Sequence, residues 1–125
     1  MTSHIQTIYT LEKSAFADTV NAWLESLGFH VVAYQETSEQ IELIDAVVMF
    51  HDNHNFDKKS LELRTVFETH QAPIHKIDLS GTMNVALTHL SLFFERTKCK
   101  HVLFLGSDSL KGLPKMDVFK ENWNI

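Results

Sequence analysis

The chain has 125 residues, 44% of them hydrophobic and 22% charged, with a formal net charge of −5 when its histidines are neutral. That length suits one domain, residues 1–125, with a core large enough to fold without staples, and four glycines with two prolines leave no room for a linker. The negative balance argues against duplex nucleic acid, which requires a basic surface to displace counterions, and against anionic membranes.

From Met1 to Thr10 there is no charged start followed by an apolar run, so no secretory leader is expected. Ile5–Tyr9 reads as a short strand. From Ser14 to Leu27 the residues Phe16, Val20, Trp23, Leu24 and Leu27 recur at steps of three and four, which marks one face of a helix. Gly28 stands where a helix end wants a left-handed residue. Phe29–Tyr34, rich in β-branched and aromatic residues, reads as a second strand. Glu36–Leu43 is polar, a short helix or a loop. Within Ile44–Phe50, the run Ala46–Phe50 is apolar throughout and suits a strand covered on both faces.

His51–Asp57 reads as a polar loop, and Lys58–His70 as a helix stopped by Pro73. Ile74–Leu79 is a strand less apolar than its neighbours. Thr82–Thr97 carries the widest helical stripe: Met83, Ala86, Leu87, Leu90, Phe93 and Phe94. His101–Leu105 is a last, continuously apolar strand. The remainder, Gly106–Ile125, reads as a loop with one short helix around Met116–Lys120. No apolar run approaches the length of a membrane span, and a cytoplasmic location is expected. Cys99, the single cysteine, can form neither an intramolecular disulfide nor a thiolate zinc site, and packing is its expected role.

Strands alternating with helices of this length predict an α/β fold: three layers, with about five parallel strands flanked by helices, flavodoxin-like or minimal Rossmann-like. By analogy with flavodoxin-like folds the strand order would be 2-1-3-4-5. Ligands of such sheets bind beyond the carboxyl ends of the strands, near the switch in strand order. That rule selects the segments Thr10–Ser14, Gln35–Ser38, His51–Asp57, Ser80–Thr82 and Gly106–Ser109.

Ser80, Gly81 and Thr82 link a strand to the strongest helix; glycine admits a close ligand and free N–H groups at a helix start attract anions. The same residues make an ordinary helix cap with no ligand at all. Gly106, Ser107 and Asp108 offer hydroxyls and a carboxylate to a ribose or phosphate, or simply a turn. His51, Asp52 and His54 form the densest polar cluster, a solvated loop or a substrate-binding rim. His51 and His54 with Asp52 or Asp57 are the residue types a transition metal takes, but all come from one irregular loop without helical spacing, so a solvated loop is expected and a metal site is the lesser alternative. No Walker-type loop, GxGxxG, GxSxG or HExxH is present.

The stretch from Asp78 to Pro114, DLSGTMNVALTHLSLFFERTKCKHVLFLGSDSLKGLP, resembles the last third of the putative molybdenum-carrier proteins, in the wider Rossmann-like nucleotide-binding superfamily. That resemblance implies a Rossmann-like fold that binds a nucleotide or a nucleotide-derived ligand. Where those proteins carry a glycine-rich loop after the first strand, this chain has Thr10, Leu11, Glu12 and Lys13. In architecture the chain also resembles TIR-like domains, some of which cleave NAD with a helix-borne glutamate; Glu62, in KKSLELRTVFE, stands at the matching place.

The expected function is therefore a binding domain for a nucleotide-type small molecule. Ser80, Gly81 and Thr82 would lie at its anion, with Gly106, Ser107 and Asp108 beside them and His51, Asp52 and His54 on the rim. If the chain is an enzyme, the expected reaction is hydrolysis of an N-glycosidic bond. No cofactor is expected. The alternative is a non-catalytic interaction or regulatory domain that meets a second copy or a protein partner. Phe119 and Trp123 would then dock on the partner or on the domain itself.

Overall fold

A computed structural model of the chain describes residues 4–123. The first three residues of the stretch read for a leader, and the last two of the carboxy-terminal loop, lie outside the described residues. The elements run β1 (Thr7–Leu11), α1 (Ala15–Ser26), β2 (His30–Tyr34), α2 (Ser38–Leu43), β3 (Ala46–His51), α3 (Lys58–Thr69), β4 (Ile74–Asp78), α4 (Met83–Thr97), β5 (His101–Gly106) and α5 (Pro114–Asn122), with a 3₁₀ turn at Asp108–Leu110.

Local chemistry sets most boundaries. The Ser14 hydroxyl accepts from the Ala17 N–H and starts α1, and Gly28 follows its end with φ +94°. Asp57 starts α3 in the same way, through the Ser60 N–H. That helix ends before Pro73: Gln71 already lies in the left-handed region, so the proline follows the stop and does not make it. β1 lies two residues later than the apolar reading of 5–9, because backbone pairing, not side-chain polarity, carries it on to Leu11. His51 belongs to β3 and not to the loop after it.

The five strands are parallel, in the order β2-β1-β5-β3-β4. The three-layer architecture is the expected one. The order is not 2-1-3-4-5, because β5 enters between β1 and β3. Burial explains this: β3 is buried along its whole length and β5 from Val102 to Gly106, whereas β2 and β4 are partly exposed, as edge strands are. The Asp45 carboxylate fixes the start of β5 by accepting from the N–H groups of Lys100 and His101 at 3.1 Å.

Two cores cover the sheet. On one face Phe16, Val20 and Leu24 of α1, Leu90, Phe93 and Phe94 of α4, and Met116 and Phe119 of α5 pack on the alternate strand residues Ile8, Val48, Phe50, Val102 and Phe104. On the other, Leu63 and Phe67 of α3 with Ile41 and Ile44 pack on Tyr9, Val47, Met49, Leu103 and Leu105. The tail folds onto its own domain. Phe119 is fully buried with its ring centroid 5.2 Å from that of Phe50, and Trp123 lies edge-on to Trp23 at 5.3 Å. Among the described residues, no helix is long and apolar enough to cross a membrane.

Gly106 ends β5 directly beneath α1. A β-carbon there would sit 2.5 Å from the Phe16 ring, which is itself buried. Gly106→Ala should therefore lower stability by about 1–3 kcal/mol through overpacking, read as a shift in the urea midpoint at unchanged slope.

Candidate functional site

The strand order decides where the chain opens. From β1 and β5 it leaves toward the face covered by α1 and α5; from β3 it leaves toward the face covered by α3. The loops after these strands diverge and leave a crevice at the carboxyl ends. One part of it is a cavity of about 330 Å³ bounded by Leu11–Ser14, Tyr34, Glu36, Asp57, Lys59 and Asp108. A second hollow of about 370 Å³ lies against Asn55–Asp57 and Ser107–Ser109. The two share Asp57 and Asp108 and form one crevice.

Both helix starts at this crevice are already occupied by carboxylates of the chain. Asp108 Oδ1 accepts from the Ala15 N–H at 2.9 Å, from the Phe16 N–H at 3.4 Å and from the Ser14 hydroxyl at 3.3 Å. Asp57 Oδ1 accepts from the Ser60 N–H at 3.0 Å. Four carboxylates (Glu12, Glu36, Asp57, Asp108) line the 330 Å³ cavity against two ammonium groups, Lys13 and Lys59. Tyr34 lines it as well. It is only 6% exposed, and its hydroxyl has no hydrogen-bond partner. Burial, and secondarily the charge of Glu36, pushes the phenol pKa up, so the hydroxyl stays a proton donor. Lys13 holds a left-handed backbone, φ 58°, in the loop after β1.

His51, Asp52 and His54 sit beside the crevice, around a compact turn. The buried His51 ring stacks on His54 at 5.1 Å and packs on Phe56 at 4.6 Å. Its Nδ1 accepts from the His54 N–H at 2.9 Å, which places the ring proton on Nε2. Asp78 Oδ1 lies 4.0 Å from that same Nδ1, a contact with no proton between them. Its real partners are the Ser80 hydroxyl at 2.6 Å, the Ser80 N–H at 2.9 Å and the Asn53 N–H at 3.1 Å. These bonds, that from the Ser80 hydroxyl foremost, hold its pKa down at about 2. Asp52 is bridged to Asn55 through its backbone carbonyl.

The structure does not bring the expected residues into one site. β3 separates β4 from β5, so Ser80–Thr82 do not lie beside Gly106–Asp108. The Ser80 hydroxyl is committed to Asp78. Thr82 occupies the N-cap of α4 without a side-chain cap bond. Gly81 and Thr82 line a separate hollow of about 200 Å³ with His75 and His89. Gly106 is a packing glycine, and the Ser107 and Ser109 hydroxyls bond each other at 2.7 Å. Ser107 and Asp108 do reach the crevice. Glu62 is exposed beside Lys58, 3.9 Å away, and lines neither part of it. Among the described residues, no group of three or more His, Cys, Asp or Glu could share a metal ion.

Asp78, Tyr34 and Glu36 escaped the sequence reading as individual residues. An aspartate closing a strand two residues before a serine is a local turn signal that would have found Asp78. Nothing local marks Tyr34: its place in the crevice depends on β2 lying next to β1.

No protein-family model matches the chain, and no curated protein matches it by sequence. Among solved structures it is similar to the crystal structure of a "putative molybdenum carrier protein" from Syntrophus aciditrophicus SB. The TM-score is 0.66 and the identity 12%, over 95% of this chain and 92% of that one. At that identity the likeness is one of fold. The likeness of fold spans nearly the whole chain, whereas the resemblance read in sequence ran only from Asp78 to Pro114.

Two predictions follow from the bonding. Asp108→Ala removes the carboxylate from the start of α1 and should destabilise the chain by about 1 kcal/mol in urea denaturation. Burial lowers the pKa of His51 and of His75 below the ordinary value of 6.5. The unfolded chain then binds protons that the folded chain refuses. The stability they support is complete above 6.5 and is lost as pH falls from there toward the folded values. Urea midpoints should drop between about pH 7.5 and about pH 5, and His75→Phe should flatten part of that slope.

Proposed function

We propose that the chain binds a small molecule, a nucleotide or nucleotide-derived ligand, in the crevice at the carboxyl ends of β1, β5 and β3. The observation that carries this is Tyr34, a residue on the wall of a 330 Å³ cavity whose buried hydroxyl has no partner. An unsatisfied buried hydroxyl is destabilising by about 1–3 kcal/mol unless something fills its need. The place is where α/β sheets take ligands, and the volume suits one nucleoside-sized molecule. Carboxylates of Glu12 and Glu36 can accept ribose hydroxyls, and Phe56 offers aromatic surface in the adjoining hollow. The fold-related protein from Syntrophus aciditrophicus is described as a putative molybdenum carrier, and small-molecule binding is in keeping with that description.

A thermal-shift series of nucleosides, nucleotides and dinucleotides on untagged protein tests the proposal. A ligand at ~100 times its Kd adds about 2.7 kcal/mol, which raises the midpoint by on the order of 10 °C. Tyr34→Phe should weaken binding about fivefold to tenfold while leaving the unliganded protein at least as stable. A flat response across the series would refute the crevice as a site of this class.

A second reading, an interaction module, draws support from Val85 and Leu92. They lie seven residues apart on α4 and are 51% and 54% exposed. Light scattering over a concentration series should then show self-association that Leu92→Lys abolishes.

A further inference from the structure

The charges around the crevice specify its ligand more narrowly. In doubly wound folds, phosphate groups are drawn to helix starts by free N–H groups and the helix dipole. Two helices begin at this crevice, α1 and α3, each of 12 residues. Asp108 already takes the N–H groups of Ala15 and Phe16 at the first, and Asp57 takes that of Ser60 at the second. A ligand phosphate would have to displace a carboxylate from either place, or lie beside it as a like charge. Glu12 and Glu36 stand on the same wall, and Lys13 and Lys59 balance only half of the four negative groups. The Ser107 and Ser109 hydroxyls, the other donors near Asp108, share one hydrogen bond, which leaves one O–H of the pair to donate. Tyr34, on the cavity wall, adds a buried hydroxyl without a partner, and Ser60, in the first turn of α3, keeps another.

Building on the proposed crevice site, we infer that it selects the unphosphorylated, hydroxyl-bearing form of its ligand, a nucleoside, and discriminates against the phosphorylated forms. The internal carboxylates act in place of the ligand's phosphate: they hold the two helix starts and leave hydrogen-bond acceptors for ribose hydroxyls. The Tyr34 hydroxyl donates to an acceptor atom of the sugar or base.

Titration calorimetry on the full chain tests this with each common ribonucleoside beside its 5′-monophosphate and 5′-triphosphate, at low and at moderate salt. The nucleoside should bind, the monophosphate about tenfold more weakly and the triphosphate more weakly still. Added salt should narrow the gap, because screening weakens like-charge repulsion. Asp108→Asn keeps an acceptor at α1 but removes its charge, and should shrink the monophosphate penalty. Glu36→Gln, which caps no helix, should do the same should Asp108→Asn fail to fold. Monophosphate binding as tight as nucleoside binding, or tighter, overturns the selectivity and leaves the crevice site standing. Absence of binding by every compound overturns the crevice site, and the selectivity with it.

Discussion

The insertion of β5 between β1 and β3 is the constraint on which the rest depends. β1 pairs with β2 and β5, and β3 pairs with β4 and β5, so the two halves of the sheet meet only across β5. The strand is locked at both ends by carboxylates. Asp45 holds its first N–H groups, and Asp108, just beyond its last residue, reaches the start of α1. Between them Gly106 leaves room for Phe16 to lie over the strand end. One buried strand thus sets the sheet, seats α1 and delivers Asp108 to the crevice.

Of the five described non-glycine residues with left-handed backbone, three lie at the carboxyl edge; Gln71 and Lys98 follow the ends of α3 and α4. Lys13, Asn53 and His54 all hold left-handed backbone conformations in the loops after β1 and β3. Each is a conformation that costs about 1–2 kcal/mol in a residue with a side chain. The last two are held by hydrogen bonds, from the Asn53 N–H to Asp78 and from the His54 N–H to His51. Asp78 thereby ties the β3 and β4 loops together, and Asp108 ties the β5 loop to α1. Asp108 also belongs to the crevice, where Glu12, Glu36 and Asp57 join it on the lining, while Asp78 lies on the separate hollow beside α4.

Much of this fold is legible in the sequence. The step of three and four from Phe16 to Leu24 located α1, and the stripe from Met83 to Phe94 located α4. The apolar run 46–50 and the strand reading 101–105 located β3 and β5. Their two-sided apolarity was also a sign that both strands lie inside the sheet, a sign that the flavodoxin-like analogy overrode when it placed β5 at the edge. The less apolar β4 is an edge strand, where the same analogy had placed it inside the sheet.

Sequence by itself therefore determined the elements, their alternation and the two-sided burial of the central strands. Those properties rest on short-range periodicity, capping and side-chain polarity. Tertiary structure alone decided the strand order, and with it which loops meet. Ser80–Thr82 and Gly106–Asp108 both follow strands and read alike, yet β3 holds them apart. Tyr34 and Asp108, 74 positions apart in the chain, wall the same cavity. The hydrogen bonds that commit Asp108 to α1 join residues more than ninety positions apart, and no local pattern encodes a pairing at that range.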